Sequence, residues 1–370
     1  MPNIITKGAG SAGGFGNFGL SKKIYAIAAK QTPGTNTQSI DIYKSLDFLT
    51  WTGPTTVNIG ATNPAIGANN IIYYNGYYII LCVPQNGPLY IVYSKDLINW
   101  SSSNFSTYVN RTYGGIYGMP NSLAGFNGSI FGLQQYSNYI YGDYATLPNL
   151  TGSWTSIGNG SLFNKSLGNT PIIVGSNGMI GGSNYDTISG TGYPLYYYSA
   201  DGLSWSSGNI ATVAETTSIV YSGYINGNYV VIYYDSSTST CNVYRSTTGY
   251  SSWSKTTASF HYTGTGFGLI NSIYKVLGTP SGKLLLSGYY SGSNYGTIFY
   301  STDNGANWYT GTGLPVTASN FPTLYSWKGT FYARMTNGNV YSSSDGQNWS
   351  SVTVSGFPSS ASFSSNSYGY

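Results

Sequence analysis

Apolar residues fall along the chain in short runs of strand length, each cut off by turn residues. In IIYYNGYYIILCV (71–83), SIVYSGYINGNYVVIYYDSSTSTCNVYRS (218–246) and PTLYSWKGTFYARMTNGNVYSSS (322–344), an NG or KG pair joins two apolar runs. Such pairs flanked by apolar residues are strong hairpin signals. A polar loop follows, then a third run ending in a Tyr-Ser pair, then a short Ser/Thr-rich segment. This predicts units of four antiparallel strands. No stretch sustains a helical period.

The unit repeats, and its tryptophans measure it. YKSLDFLTW ends at Trp51, YSKDLINW at Trp100, YGDYATLPNLTGSW at Trp154, YSADGLSW at Trp205, YRSTTGYSSW at Trp253, YSTDNGANW at Trp308 and YSSSDGQNW at Trp349. The intervals are 49, 54, 51, 48, 55 and 41 residues. A period of roughly 40–50 residues marks solenoids, propellers or arrays, and four short strands per repeat fit a propeller blade. The expected fold is all-β: a seven-bladed β-propeller of four-stranded antiparallel blades over residues 21–370, preceded by a Gly-rich arm over residues 1–20. The first unit starts at KKIYAIAA (22–29), which matches a second strand. The innermost strand of that blade is therefore expected from the chain's end, ASFSSNSYGY (361–370), closing the ring and removing exposed edges.

The boxes around the tryptophans resemble the Asp-box, or BNR, motif (S-x-D-x-G-x-x-W) of sialidases and other β-propellers. The match is specific at SADGLSW, STDNGANW and SSDGQNW, looser in SKDLINW and SLDFLTW, which lack the Gly, and without Asp at Tyr244–Trp253. The resemblance implies a turn between third and fourth strands, on the end away from the ligand face. Physically, an Asp at a turn start accepts hydrogen bonds from backbone N–H groups two residues on, and Trp covers a blade end with apolar surface. Asp47, Asp96, Asp201, Asp303 and Asp345, with Trp51, Trp100, Trp154, Trp205, Trp253, Trp308 and Trp349, are thus read as structural.

Composition then narrows the chemistry. Charged residues are 6% of the chain and net charge is +4 without a basic run, too diffuse for a nucleic-acid footprint. Solubility rests instead on hydroxyls and amides, with 39 Tyr and 50 Gly. Cys82 and Cys241 show no ligand spacing and read as buried hydrophobes. One histidine and two cysteines give no metal cluster, and no cofactor is expected: GAGSAG (8–13) matches GxGxxG, but GFGNFG follows where a helix would be needed. No run reaches membrane-spanning length without Asn or Gly, and no signal-peptide pattern is visible.

The sialidase resemblance would demand an arginine triad, an acid Asp and a Tyr–Glu pair. The arginines are Arg111, Arg245 and Arg334, the only Glu is Glu215, and His261 is the sole histidine. Paired carboxylates are hard to assemble from this set once the box aspartates are set aside, so the expectation is a non-enzymatic chain. The N-terminal KGAGSAGGFGNFG resembles short segments of bacteriophage tail and other virion proteins, which makes Phe15 and Phe18 attachment candidates and other virion proteins the partners. Binding is expected from loops opposite the Asp boxes, through Tyr108, Arg111, Tyr113, Tyr117, Tyr185, Asp186, Asp235, His261, Tyr262, Tyr289 and Tyr290, because Tyr with Ser, Gly and Asn gives rigid amphipathic contact area. The expected function is host-surface or glycan recognition from a phage tail or fibre. The alternatives are a purely structural decoration or connector protein and a glycan-cleaving sialidase-like or depolymerase enzyme; the alternative location is extracellular or on a cell surface.

Overall fold

In a computed structural model, the described residues are 24–358, apart from 35–36, 61–62, 65–70, 83–89, 105–121, 137–138, 151–153, 159–171, 184–194, 211–217, 236–239, 262–269, 280–281, 291–295 and 316–321, together with 362–363. The expected N-terminal arm lies outside them.

The first sheet contains β1 (Ala26–Gln31), β2 (Ser39–Ser45) and β3 (Thr52–Asn58). Five blades then follow the four-strand plan or extend it. They are β4 (Ile71–Tyr74), β5 (Tyr77–Cys82), β6 (Tyr90–Ser94) and β7 (Ser101–Asn104); β8 (Ser122–Phe126), β9 (Ser129–Tyr136), β10 (Tyr139–Thr146) and β11 (Thr155–Gly158); and β12 (Ile173–Gly175), β13 (Gly178–Ser183), β14 (Leu195–Ser199) and β15 (Ser206–Asn209). Next come β16 (Ser218–Ile225), β17 (Asn228–Asp235), β18 (Thr240–Ser246) and β19 (Ser254–Thr257), then β20 (Ser259–His261), β21 (Ile270–Gly278), β22 (Leu284–Tyr290), β23 (Gly296–Ser301) and β24 (Asn307–Thr310). The last blade is β25 (Thr323–Trp327), β26 (Thr330–Arg334), β27 (Val340–Ser343) and β28 (Ser350–Val352), and β29 (Ser362–Phe363) ends the described chain.

These strands form seven sheets, of which only six are blades complete in consecutive strands; the remaining one is composite, in the order β29-β1-β2-β3. The expectation of a seven-bladed ring of four-stranded antiparallel blades is therefore corrected to six blades. One blade has five strands, in the order β20-β24-β23-β22-β21, because β20 runs parallel to β24. After β19 the chain does not turn inward at once: Ser259 N–H donates to Ala306 O at 2.8 Å and Phe260 stacks on Trp308, so it first follows the neighbour's outer strand. Among the described residues the composite sheet joins its two parts through the pairs Ala28↔Phe363 and Ala29↔Ser362.

The core lies in the seams between sheets. Second strands are covered on both faces, and β5 and residues 229–234 of β17 are buried throughout. Along β5 the side chains alternate: Ile79 and Leu81 pack with Leu123 and Ile130, while Tyr78, Ile80 and Cys82 pack with Ile27 and Ile42. Several fourth strands are polar and largely exposed, as in SSGN and SKTT. Burying a large apolar side chain stabilises by roughly 1.5–3 kcal/mol, so the seams hold the ring together. Both cysteines sit free in seams, where burial pushes the thiols up, that of Cys241 to about 12.

Tyrosine and glycine interlock across these seams. Tyr74 lies over Gly125 and its hydroxyl accepts the Gly128 N–H at 2.9 Å. Tyr229, fully buried, lies over Gly175 and donates to Gly178 O at 3.0 Å. Tyr78 accepts the Tyr25 N–H at 2.9 Å, and the hydroxyls of Tyr224 and Ser176 meet at 2.7 Å. A ring with a hydroxyl end fills a seam and satisfies a backbone group on the next blade, where a charged side chain would carry a large desolvation cost.

Candidate site at the edge of the five-stranded blade

At one end of the molecule five third strands turn into their fourths through a serine–aspartate turn. Asp201 Oδ1 accepts from Leu203 N–H and Ser204 N–H, both at 2.8 Å, and from Ser199 Oγ at 3.0 Å. Ser199 Oγ in turn accepts the Gly202 N–H at 2.7 Å, and Trp205 Nε1 donates to Gly202 O at 2.9 Å. The same pattern holds at Asp345, and at Asp303 with one extra residue. These bonds favour the charged form and hold Asp47, Asp96, Asp201, Asp303 and Asp345 below the usual carboxylate range; at Asp303 and Asp345 they outweigh an opposing effect of burial.

The left-handed residue of the turn explains the missing glycines. Gly202 has φ 84°, but Phe48 and Leu97 hold φ 66° and 61° in the copies lacking Gly. Both side chains are buried in seams, Phe48 stacking on Tyr332 at 4.3 Å, which offsets the strain of that conformation. In the copy without Asp, Thr248 Oγ1 takes the Ser251 N–H while Ser246 Oγ keeps the Gly249 N–H. Trp51, Trp154, Trp308 and Trp349 are buried, and Trp100, Trp205 and Trp253 partly so.

Of the binding candidates, Tyr108, Arg111, Tyr113, Tyr117, Tyr185, Asp186 and Tyr262 lie outside the described residues, as do Glu215 and the attachment candidates Phe15 and Phe18. Asp235, Tyr289 and Tyr290 end second strands, far from the serine–aspartate turns, with the backbone pairs Asp235↔Thr240, Tyr289↔Gly296 and Ile270↔Tyr290. His261 is described and exposed. The structure brings no two of these candidates together by a described side-chain contact.

His261 instead meets residues that sequence reasoning passed over. Parallel register sets Phe260 beside Trp308 on the inner face and His261 beside Tyr309 on the outer one. The imidazole stacks on Tyr309 at 4.7 Å with 15° between planes, and Tyr300 continues the aromatic surface 5.8 Å beyond. Tyr309 is 40% exposed. His261 Nε2 lies 3.1 Å from Asn307 Oδ1, and Asn307 Nδ2 donates to Asp303 Oδ2 at 2.7 Å. A carboxylate only accepts, so the amide must present its oxygen to the imidazole. Nε2 therefore carries a proton, and in the neutral ring Nδ1 keeps its lone pair. One signal was present in the sequence: Asn precedes Trp at Asn99, Asn307 and Asn348, and each binds its turn aspartate.

The described arginines differ. Arg245 donates through Nε and Nη2 to Asn304 O at 3.1 and 2.9 Å and through Nη1 to Thr256 Oγ1 at 2.9 Å, tying one blade to the next blade's turn. Arg334 lies over the Phe357 ring at 5.1 Å.

No protein-family profile matches the sequence, and no curated protein is similar to it. Solved structures do resemble the fold. A polysaccharide lyase, the PL25 ulvan lyase, aligns with a TM-score of 0.53 at 12% identity, covering 78% of this chain and 84% of that one. The same kind of lyase bound to -[GlcA(1-4)Rha3S]- gives 0.52 at 13%, with 80% and 86% covered. A prolyl endopeptidase gives 0.52 at 9%, covering 92% of this chain but only 50% of the peptidase. The expectation of a non-enzymatic chain does not stand beside these neighbours, because enzymes share this fold and the scarcity of paired carboxylates excludes only mechanisms that need such pairs. At such identities the likeness shows architecture, and by architecture this chain is a β-propeller.

Proposed function

We propose that the propeller engages polysaccharide and that the His261–Tyr309 edge seats a sugar ring. The observation carrying this reading is the exposed, near-parallel stack of His261 and Tyr309 beside Asn307. The apolar C–H face of a pyranose packs on an aromatic surface, and the lone pair on His261 Nδ1 is placed to accept a sugar hydroxyl. The edge belongs to the one described strand that departs from the repeat, which suits a feature not needed for closing blades. Binding of a polysaccharide panel by the full chain tests it: Tyr309→Ala should weaken binding about tenfold, or ~1.4 kcal/mol, with unchanged thermal stability. Equal affinity of wild type and variant, or no binding by either, refutes it.

Cleavage is a second reading, favoured by the lyases among the structural neighbours. It predicts an unsaturated product with new ultraviolet absorbance, lost in His261→Ala. In the same proposal the serine–aspartate turns are of the Asp-box type, and residues 1–20 attach the propeller to a phage tail or fibre facing a host glycan. A virion reconstruction lacking this chain would refute that placement.

A further inference from the structure

The two described arginines have contrasting surroundings. Three of the nitrogens of Arg245 are hydrogen-bonded, and Asp303 adds a favourable charge. Arg334 is half-buried at the end of β26, on the seam between the last blade and the composite sheet. Its guanidinium lies over the Phe357 ring at 5.1 Å. Beside it Tyr325 has its hydroxyl pushed up to about 12 by burial, the arginine's charge opposing this. Tyr325, Phe48 and Phe357 wall the same seam with aromatic rings.

Among the described residues no carboxylate approaches Arg334. Asp47 lies on this seam, with its Oδ1 held by Leu49 N–H, Thr50 N–H and Ser45 Oγ. A guanidinium carries five N–H donors in a planar fork that matches carboxylate and sulfate oxygens. The Arg334 nitrogens are not among the buried unpartnered atoms of the described residues, so an anion can reach them in place of water. The ring beneath the guanidinium adds a cation–π contact that leaves the N–H groups free to meet an oxyanion.

We propose that Arg334 is an oxyanion-binding residue, taking a carboxylate or sulfate group at the rim of this seam. The site is separate from the His261–Tyr309 edge and does not depend on it. One guanidinium suits a single acidic group, either on a sugar or as a free ion.

Calorimetric titration of the full chain with inorganic sulfate and with a glucuronate-containing tetrasaccharide tests this, using wild type, Arg334→Gln, Arg334→Lys and Tyr309→Ala. Arg334→Gln should lose binding by tenfold or more, Arg334→Lys should lose less, and Tyr309→Ala should leave sulfate binding intact. Saccharide binding that depends on Arg334 identifies a glycan acid group as ligand; sulfate binding alone identifies a free-anion site, and either supports the inference. Thermal unfolding of each variant separates loss of binding from loss of fold. If wild type binds neither probe, or if folded Arg334→Gln binds both as wild type does, the inference is overturned.

Discussion

Replacing Gly125 by alanine would place a Cβ 2.1 Å from Cγ of Tyr74, inside the ring itself. Real Cβ atoms do not approach so closely, so either the ring leaves its position or the strands separate. Overpacking a well-filled seam costs about 1–3 kcal/mol. Displacing the ring also breaks the bond from Gly128 N–H to the Tyr74 hydroxyl, 2.9 Å long, worth about 0.5–1.5 kcal/mol. A total of ~3 kcal/mol is expected. With an unfolding entropy of ~0.8 kcal/mol/K for a chain of this length, Tm should fall by ~4 °C. The assay is thermal unfolding of Gly125→Ala, Tyr74→Ala and the double variant. In the Tyr74→Ala background the added methyl meets no ring, so the glycine substitution should cost less than ~1 kcal/mol there. Strict additivity of the two single effects would refute the interlocking of tyrosine and glycine as the reason for their abundance.

Acid should unfold the ring through its turns. The pKa values of Asp47, Asp201 and Asp303 are depressed in the fold, so their stabilisation is present above the unfolded value, about 3.9, and is lost as pH falls through the folded values. Thermal stability should be level above about pH 5 and drop steeply below about pH 4, and Asp201→Asn should drop less steeply; an identical acid profile in the variant would contradict this. Deleting residues 361–370 removes β29 and its pairs with Ala28 and Ala29, leaving β1 with an open inner edge. The truncated chain should unfold at lower temperature and self-associate through that edge, and a stable, monomeric, cooperative truncation would show that the two pairs do not close the ring.

Much of the architecture was legible in local signals. NG and KG hairpins and apolar runs of strand length depend on residues adjacent in the chain, and those turns and strands are present. The blade count read from the tryptophan spacing was not right, because it rests on how whole sheets assemble. The Ser and Asp of each box were readable for the same reason, since their bonds span only two to four residues. The path of β20 was not legible, because its partner strand β24 lies nearly fifty residues further on and packing of Phe260 against Trp308 decides it. The candidate site fell with it: His261 drew attention as a lone histidine, but Tyr309 and Asn307 become its neighbours only through that parallel register. Only the seam each enters separates Arg245, tied to a backbone carbonyl, from Arg334, which lies over an aromatic ring. Sequence by itself determined the repeating hairpins and their turns, since those rest on backbone preference and near neighbours. Tertiary structure decided which blade edge carries the aromatic surface and what each tyrosine is for, since those rest on contacts between blades far apart in the chain.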